Sequence, residues 1–240
     1  MPADTAAIAG AVERIQQRIR DSAGRSGRPA DDVLLVAVTK TCGAEAIRAA
    51  YQAGVRHFGE NRVQEWEAKK DQAGSLAGSV FHLIGHLQRN KARRAVALFE
   101  RIDSVDSIAL ARRLDQFASE ADRILPVLIE VHVSEEPEKS GIEPGMLPVL
   151  ARSVAACRHL TLRGLMTVPP WKDDPEAARP YFRQLRELRD QTARQLGHTL
   201  PVLSMGMTHD FEIAVQEGAT EVRIGTGIFG RRATPDRETE

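Results

Sequence analysis

The stretch VLLVAVTK (33–40) decides the fold. It is the cleanest apolar run near the N-terminus, and it ends on an ammonium for which the tip of a buried strand has no structural use. Lysine is scarce here: only six of the 33 basic residues are lysine, at positions 40, 69, 70, 91, 139 and 172, and the rest are arginine. A lysine at the carboxyl end of a first buried strand suggests an amine held for covalent chemistry with a carbonyl. The plainer alternative is a strand-end lysine that carries its charge out to solvent along its own stem.

Outward from this stretch, short apolar runs alternate with helical periodicity. Upstream, Ile8, Val12, Ile15 and Ile19 recur at helical spacing, with Asp4 or Thr5 placed to cap, so a helix is expected over about 5–23. Downstream, strands are expected at 56–59, 80–85, 101–105, 125–133, 161–168, 200–206 and 221–225. Helices are expected near 44–53, 62–72, 90–99, 107–121, 145–157, 175–196 and 210–217. Eight strands in regular alternation within 240 residues favour α/β architecture as one closed (β/α)8 barrel of the TIM type, with an extra N-terminal helix. The last strand shows no convincing helix of its own, and the N-terminal helix is placed to cover that gap. The whole of 1–240 reads as a single domain, with a polar tail at about 231–240.

Composition excludes several function classes. Acidic and basic residues balance at 33 each, so no global field favours nucleic acid or a membrane surface. No apolar stretch approaches the roughly 18 residues of a membrane span, and no basic-then-apolar leader pattern opens the chain. Cys42 and Cys157 have no metal-ligand spacing and form no disulfide framework, which fits a cytoplasmic location. His82 and His86 stand four apart, but in a strand and with no evident third ligand they do not make a metal site.

In such barrels the chemistry sits at the carboxyl ends of the strands. Those ends carry Lys40, then Glu60 and Asn61, then His86 and Gln88, then Ser104 and Asp106. They continue with Met166 and Thr167, with Ser204, Met205 and Gly206, and with Arg223, Gly225, Thr226 and Gly227. The stretches SMGMT (204–208) and RIGTG (223–227) fall in the last two units, where barrels of this kind often bind phosphate. Glycines let backbone N–H groups approach a phosphate, and Ser204 and Thr226 add hydroxyls, although ordinary tight turns also use glycine. A lysine amine opposite a phosphate cradle suits two ligands: pyridoxal 5'-phosphate, or a sugar phosphate handled by a Schiff-base lyase. The position after the first strand favours the cofactor.

The motifs VAVTK (36–40), HFGENRVQE (57–65), FHLIGHLQRNK (81–91), SVDS (104–107), KSG (139–141), LRGLMTV (162–168), LSMGM (203–207) and VRIGTGIFG (222–230) run in order over nearly the whole chain. Together they resemble the pyridoxal phosphate homeostasis proteins, whose barrel is similar to that of bacterial alanine racemase. The resemblance implies that Lys40 carries pyridoxal 5'-phosphate as an internal aldimine. It implies that Ser204, the backbone around Met205 and Gly206, Gly225 and Thr226 hold the phosphate. Arg223 would face the pyridine nitrogen, with Asn61 and Met166 beside the cofactor. The chain departs from the family pattern at Cys42-Gly43, where many members carry a further basic or a proline-containing stretch, and at Arg62, His132 and Thr208-His209. Lys139, in the loop after the fifth strand on the same face, is a candidate for attracting the phosphate or a second cofactor molecule, although a solvated loop lysine is the plainer reading.

The resulting expectation is a non-catalytic carrier or buffer of vitamin B6, acting as a monomer or weak dimer with apo-enzymes as its partners. The alternative is an amino-acid racemase or related enzyme. A racemase needs an opposing acid/base, commonly a tyrosine, and Tyr51 and Tyr181 both fall inside expected helices.

Overall fold

A computed structural model of the chain describes residues 4–134 and 140–230. Lys139 and the expected tail at 231–240 therefore lie outside the described residues. The chain opens with α1 (Thr5–Arg25), whose first turn is capped by the Asp4 carboxylate accepting from the Ala7 N–H at 3.0 Å. Eight strands follow: β1 (Leu34–Val38), β2 (His57–Glu60), β3 (Val80–Leu83), β4 (Arg101–Val105), β5 (Leu125–Glu130), β6 (Leu160–Met166), β7 (Val202–Ser204) and β8 (Glu221–Ile224). Between them run α2 (Ala44–Gln52), α3 (Val63–Ala73), α4 (Ala92–Leu98), α5 (Ile108–Glu120), α6 (Leu147–Ala155), α7 (Arg179–Leu196) and α8 (Phe211–Gln216). The strands pair in parallel in sequence order, and β8 closes onto β1 through Val36↔Arg223, so the sheet is a complete barrel.

The strand alternation separates two interiors. Outward positions such as Phe58, Ile102, Ile129, Leu165, Leu203 and Val222 pack against the helices and form the apolar core. Each fully buried side chain of this size contributes about 1.5–3 kcal/mol. Inward positions are different. Barrels of this class normally fill their centre with branched apolar side chains. Here Val36 and Leu128 share the centre with His82, Arg101, Asp103, Glu221 and Arg223, all buried.

The differences from the sequence expectation are local. β5 stops at Glu130 rather than at 133: Val131 still donates its N–H to the Met166 carbonyl of β6, but it also bridges Ile142, and from His132 on the backbone bonds to Ile142 instead of β6. The helix expected to start near residue 90 opens with a 3-10 turn, Arg89–Lys91, and α7 is preceded by another, Pro175–Ala178. The last strand does have a helix, the single turn α9 (Thr226–Phe229). α1 packs across α2, α8 and α9, burying Ile8, Val12, Ile15 and Ile19, and so covers the flank that this short helix leaves open. Gly164 is dictated by space: a Cβ there would run into the Val202 carbonyl of β7. Gly164→Ala should therefore destabilise the fold by about 1–3 kcal/mol, seen as a lower urea midpoint at unchanged m-value.

Candidate functional site

A cavity of about 370 Å³ opens at the carboxyl ends of the strands, large enough for a small cofactor. Lys40, Asn61, Arg223, Gly225 and Thr226 all line it, so five of the nine residues picked from the sequence converge there. Val38 and Ile84 supply an apolar wall. Lys40 also borders a smaller adjoining cavity, about 210 Å³, that reaches Cys42 and Phe229.

The other four lie behind this lining. Ser204 is fully buried; its hydroxyl donates to Glu221 Oε1 at 2.7 Å and accepts from Arg223 Nη1 at 2.7 Å. Met166 is buried at the end of β6, at a position that the alternation points into the barrel. The Met205 side chain is part of the core shared with the helices, and its N–H donates to the Glu221 carbonyl. Gly206, at φ +91°, turns the chain so close to α8 that a Cβ would collide with Ala214 and Phe211.

Arg223 is placed by its neighbours. Nη1 donates to Ser204 and Nη2 to the Thr167 carbonyl at 2.8 Å. Burial lowers its pKa, and Glu221, Asp103 and Glu130 pull the other way. Beneath it, Arg101 donates to Asp103 at 2.6 and 2.8 Å and to Glu221 at 2.6 and 2.7 Å. Despite the burial that raises it, Asp103 is held well below the usual carboxylate range, above all by Arg101. His82 closes the cluster, at 3.3 Å from Asp103 and 2.9 Å from His57. His82, Asp103 and Glu221 are close enough to suggest a metal site, but Arg101 bonds to both carboxylates and supplies the cation.

Some expected neighbours are apart. His86 pairs with Asp106 at 3.1 Å in a separate groove of about 750 Å³ that also contains Gln88. Ser104 donates to the Gly85 carbonyl. His82 and His86 do not share a face, because β3 ends at Leu83. Trp66 is a packing residue, stacked on Phe81, whereas Trp171 stands at the cavity rim, 68% exposed.

The sequence reading missed part of the rim. Residues 168–172, after β6, line the cavity together with Met207, Thr208, His209 and Asp210. His209 Nε2 lies 3.0 and 3.1 Å from the Lys172 and Asp173 carbonyls and ties the two loops together. The Pro-Pro-Trp run at 169–171 directly after a strand was the available sign. Glu130, at the end of β5, was also missed. It is 6% exposed and its Oε2 has no hydrogen-bond partner. Burial pushes its pKa up to about 7, Arg223 opposes the rise and Asp106 adds to it.

The class of this closed barrel is given by a family match: the family model for the alanine racemase N-terminal domain covers residues 11–233. The Pyridoxal phosphate homeostasis protein of Aquifex aeolicus is 42% identical over 221 residues, covering 92% of this chain and 96% of that protein. The protein of the same name from Escherichia coli K12 is 39% identical over 233 residues, covering 94% and 97%. Among solved structures, PipY of Synechococcus elongatus with PLP bound superposes with a TM-score of 0.82 at 39% identity, covering 93% of this chain and all of that one. The chain belongs to the pyridoxal phosphate homeostasis protein family, within the alanine racemase-type barrels.

Glu130 makes a measurable demand on stability. Between 4.5, its ordinary value, and about 7 the folded chain keeps a proton that the unfolded chain has released. Its contribution therefore falls as pH rises through that window and levels off above it, by about 3 kcal/mol in all. Burial, then His82 beside it, lowers His57 to about 4, so His57 acts in the opposite sense between 4 and 6.5. The difference between Glu130→Gln and wild type isolates Glu130. Urea midpoints at pH 5 and pH 8 should show the variant gaining on wild type toward pH 8; parallel profiles would mean that Glu130 does not titrate there.

Proposed function

We propose that this chain binds pyridoxal 5'-phosphate, anchors it covalently through the Lys40 amine and serves as a carrier or buffer of the cofactor rather than as an enzyme. The carrying observation is that Lys40 and Arg223 line one cavity together with Asn61, Gly225 and Thr226. The donor set suits the group. An amine matches an aldehyde, a permanently charged guanidinium matches a pyridine nitrogen, and the Gly225-Thr226 corner opens α9 beside the cavity. Ser204 and the 205–206 backbone would act from behind, by holding Arg223 and shaping the turn. PipY with PLP bound and relatives named for pyridoxal phosphate homeostasis support this assignment.

When bound, this cofactor supplies an electron sink whose strength depends on protonation of its ring nitrogen. Arg223 donates hydrogen bonds and accepts none, so it favours the unprotonated ring and a weak sink. Neither tyrosine serves the cavity as an opposing acid/base. Tyr51, on α2, donates to the Ala77 carbonyl, and Tyr181, on α7, lines a different groove. Both points support storage over turnover. Among the described residues no helix is long and apolar enough to cross a membrane. The proposed role places the protein in the cytoplasm, with apo-enzymes as acceptors.

The wild-type protein mixed with pyridoxal 5'-phosphate should acquire the visible absorption of a lysine-bound aldehyde, and Lys40→Ala should not. A wild type that shows no such band once unbound cofactor has been removed would end the assignment. Loaded protein should also activate an apo-enzyme faster than it releases cofactor to solution. Catalytic exchange of an amino acid's α-hydrogen with solvent deuterium would replace the carrier by the racemase alternative.

A further inference from the structure

A side chain from a neighbouring unit reaches the turn that carries Lys40. Lys69, on α3, is nearly buried. Its Nζ donates to the Thr39 carbonyl at 2.8 Å and to the Cys42 carbonyl at 3.2 Å, on either side of Lys40. The same Nζ lies 2.7 Å from Glu60 Oε1, at the end of β2, and the Thr39 hydroxyl donates to that oxygen. The Cys42 N–H donates back to the Thr39 carbonyl at 3.0 Å, closing residues 39–42 into a turn. Inside it, Thr41 has φ +64°, a left-handed conformation that a β-branched residue adopts only when its surroundings impose it.

Burial raises the pKa of Glu60, and Lys69 offsets part of that rise. Left to itself a β-branched residue would leave the left-handed region. The Lys69 ammonium, bonded to the Thr39 and Cys42 carbonyls, adds to the Cys42–Thr39 backbone bond in holding the turn from which the Lys40 side chain departs.

We propose that Lys69 and Glu60 are positioning residues for Lys40: the clamp across residues 39–42 aims the Lys40 amine at the ligand aldehyde. The inference rests on the covalent anchoring proposed above. In that step the Lys40 ammonium first gives a proton to solvent. Its nitrogen then forms a double bond to the aldehyde carbon, and the aldehyde oxygen leaves as water with the two remaining amine protons. The clamp takes no part in this exchange; it sets the approach on which the exchange depends.

Two ligands separate positioning from general structural support. Pyridoxal 5'-phosphate can bond to Lys40, whereas pyridoxine 5'-phosphate, an alcohol of the same shape, can only occupy the cavity. Lys69→Met should weaken the aldehyde by about tenfold or more, with loss of the visible band, and change the alcohol by less than about twofold. Equal weakening of both ligands, or of neither, would overturn the proposal. Because Lys69→Met leaves a buried carboxylate without its cation, the double variant Lys69→Met/Glu60→Gln is measured alongside; it removes both charges and should show the same split. Lys69→Arg, which can still donate to both carbonyls, should recover most of the aldehyde affinity. If the wild type itself forms no visible band, the anchoring assignment fails. If the wild type forms the band and the double variant keeps full aldehyde affinity, only the clamp fails.

Discussion

The structure depends on Arg101. Its guanidinium sits in the centre of the barrel, bonded to Asp103 on its own strand and to Glu221 on β8, with both carboxylates buried. Removing one partner from such a cluster costs about 3–5 kcal/mol, because the other charge is left in a medium that cannot solvate it. The cluster therefore constrains how β4 and β8 stand across the barrel. It also fixes what lies above: Glu221 accepts from Ser204, and Ser204 accepts from Arg223. An apolar centre of equal volume could have supported the barrel, but it would not have presented a cation to the cavity floor in one orientation.

The two poles of the site are held by different means. Arg223 belongs to the barrel's charged axis and is fixed from below. Lys40 lies on a loop and is held from the side, by the turn that Lys69 and Glu60 help to hold. The rim is a third element, in which His209 ties the loop after β6 to the loop after β7 and leaves Trp171 exposed above the cavity. Two poles held by buried contacts under a loop-built rim suit the proposed role, in which a reactive aldehyde is held and then released.

Most of the architecture was legible in the chain. Alternating apolar strands and amphipathic helices specify a β/α repeat, and eight repeats in this length favour closure. The helix at 5–23 was legible from its isoleucines and valine, whereas the choice of Asp4 over Thr5 as its cap was made by the structure. Element ends were less so. β5 ends at Glu130 because of the Val131–Ile142 bridge, and α9 was missed because one turn of TGIF has no periodicity to read. Lys40, Asn61, Arg223, Gly225 and Thr226 were legible as strand-end residues, since a parallel barrel sends every strand's carboxyl end to one face.

By itself, then, the sequence determined the barrel and the face to which its strand-end residues, Lys40 among them, are sent, because strand order and strand direction are properties of a local pattern. Only the tertiary structure decided which strand-end residues meet. Ser204 and Met205 are adjacent in the chain, yet one faces the barrel's charged axis and the other the helical core. Lys69 is one of two lysines side by side in a charged helix and gives no sign in sequence of its two carbonyl partners some thirty residues upstream. Such roles come from contacts across the sheet and between units, where burial turns an ordinary charge into a constraint on its neighbours.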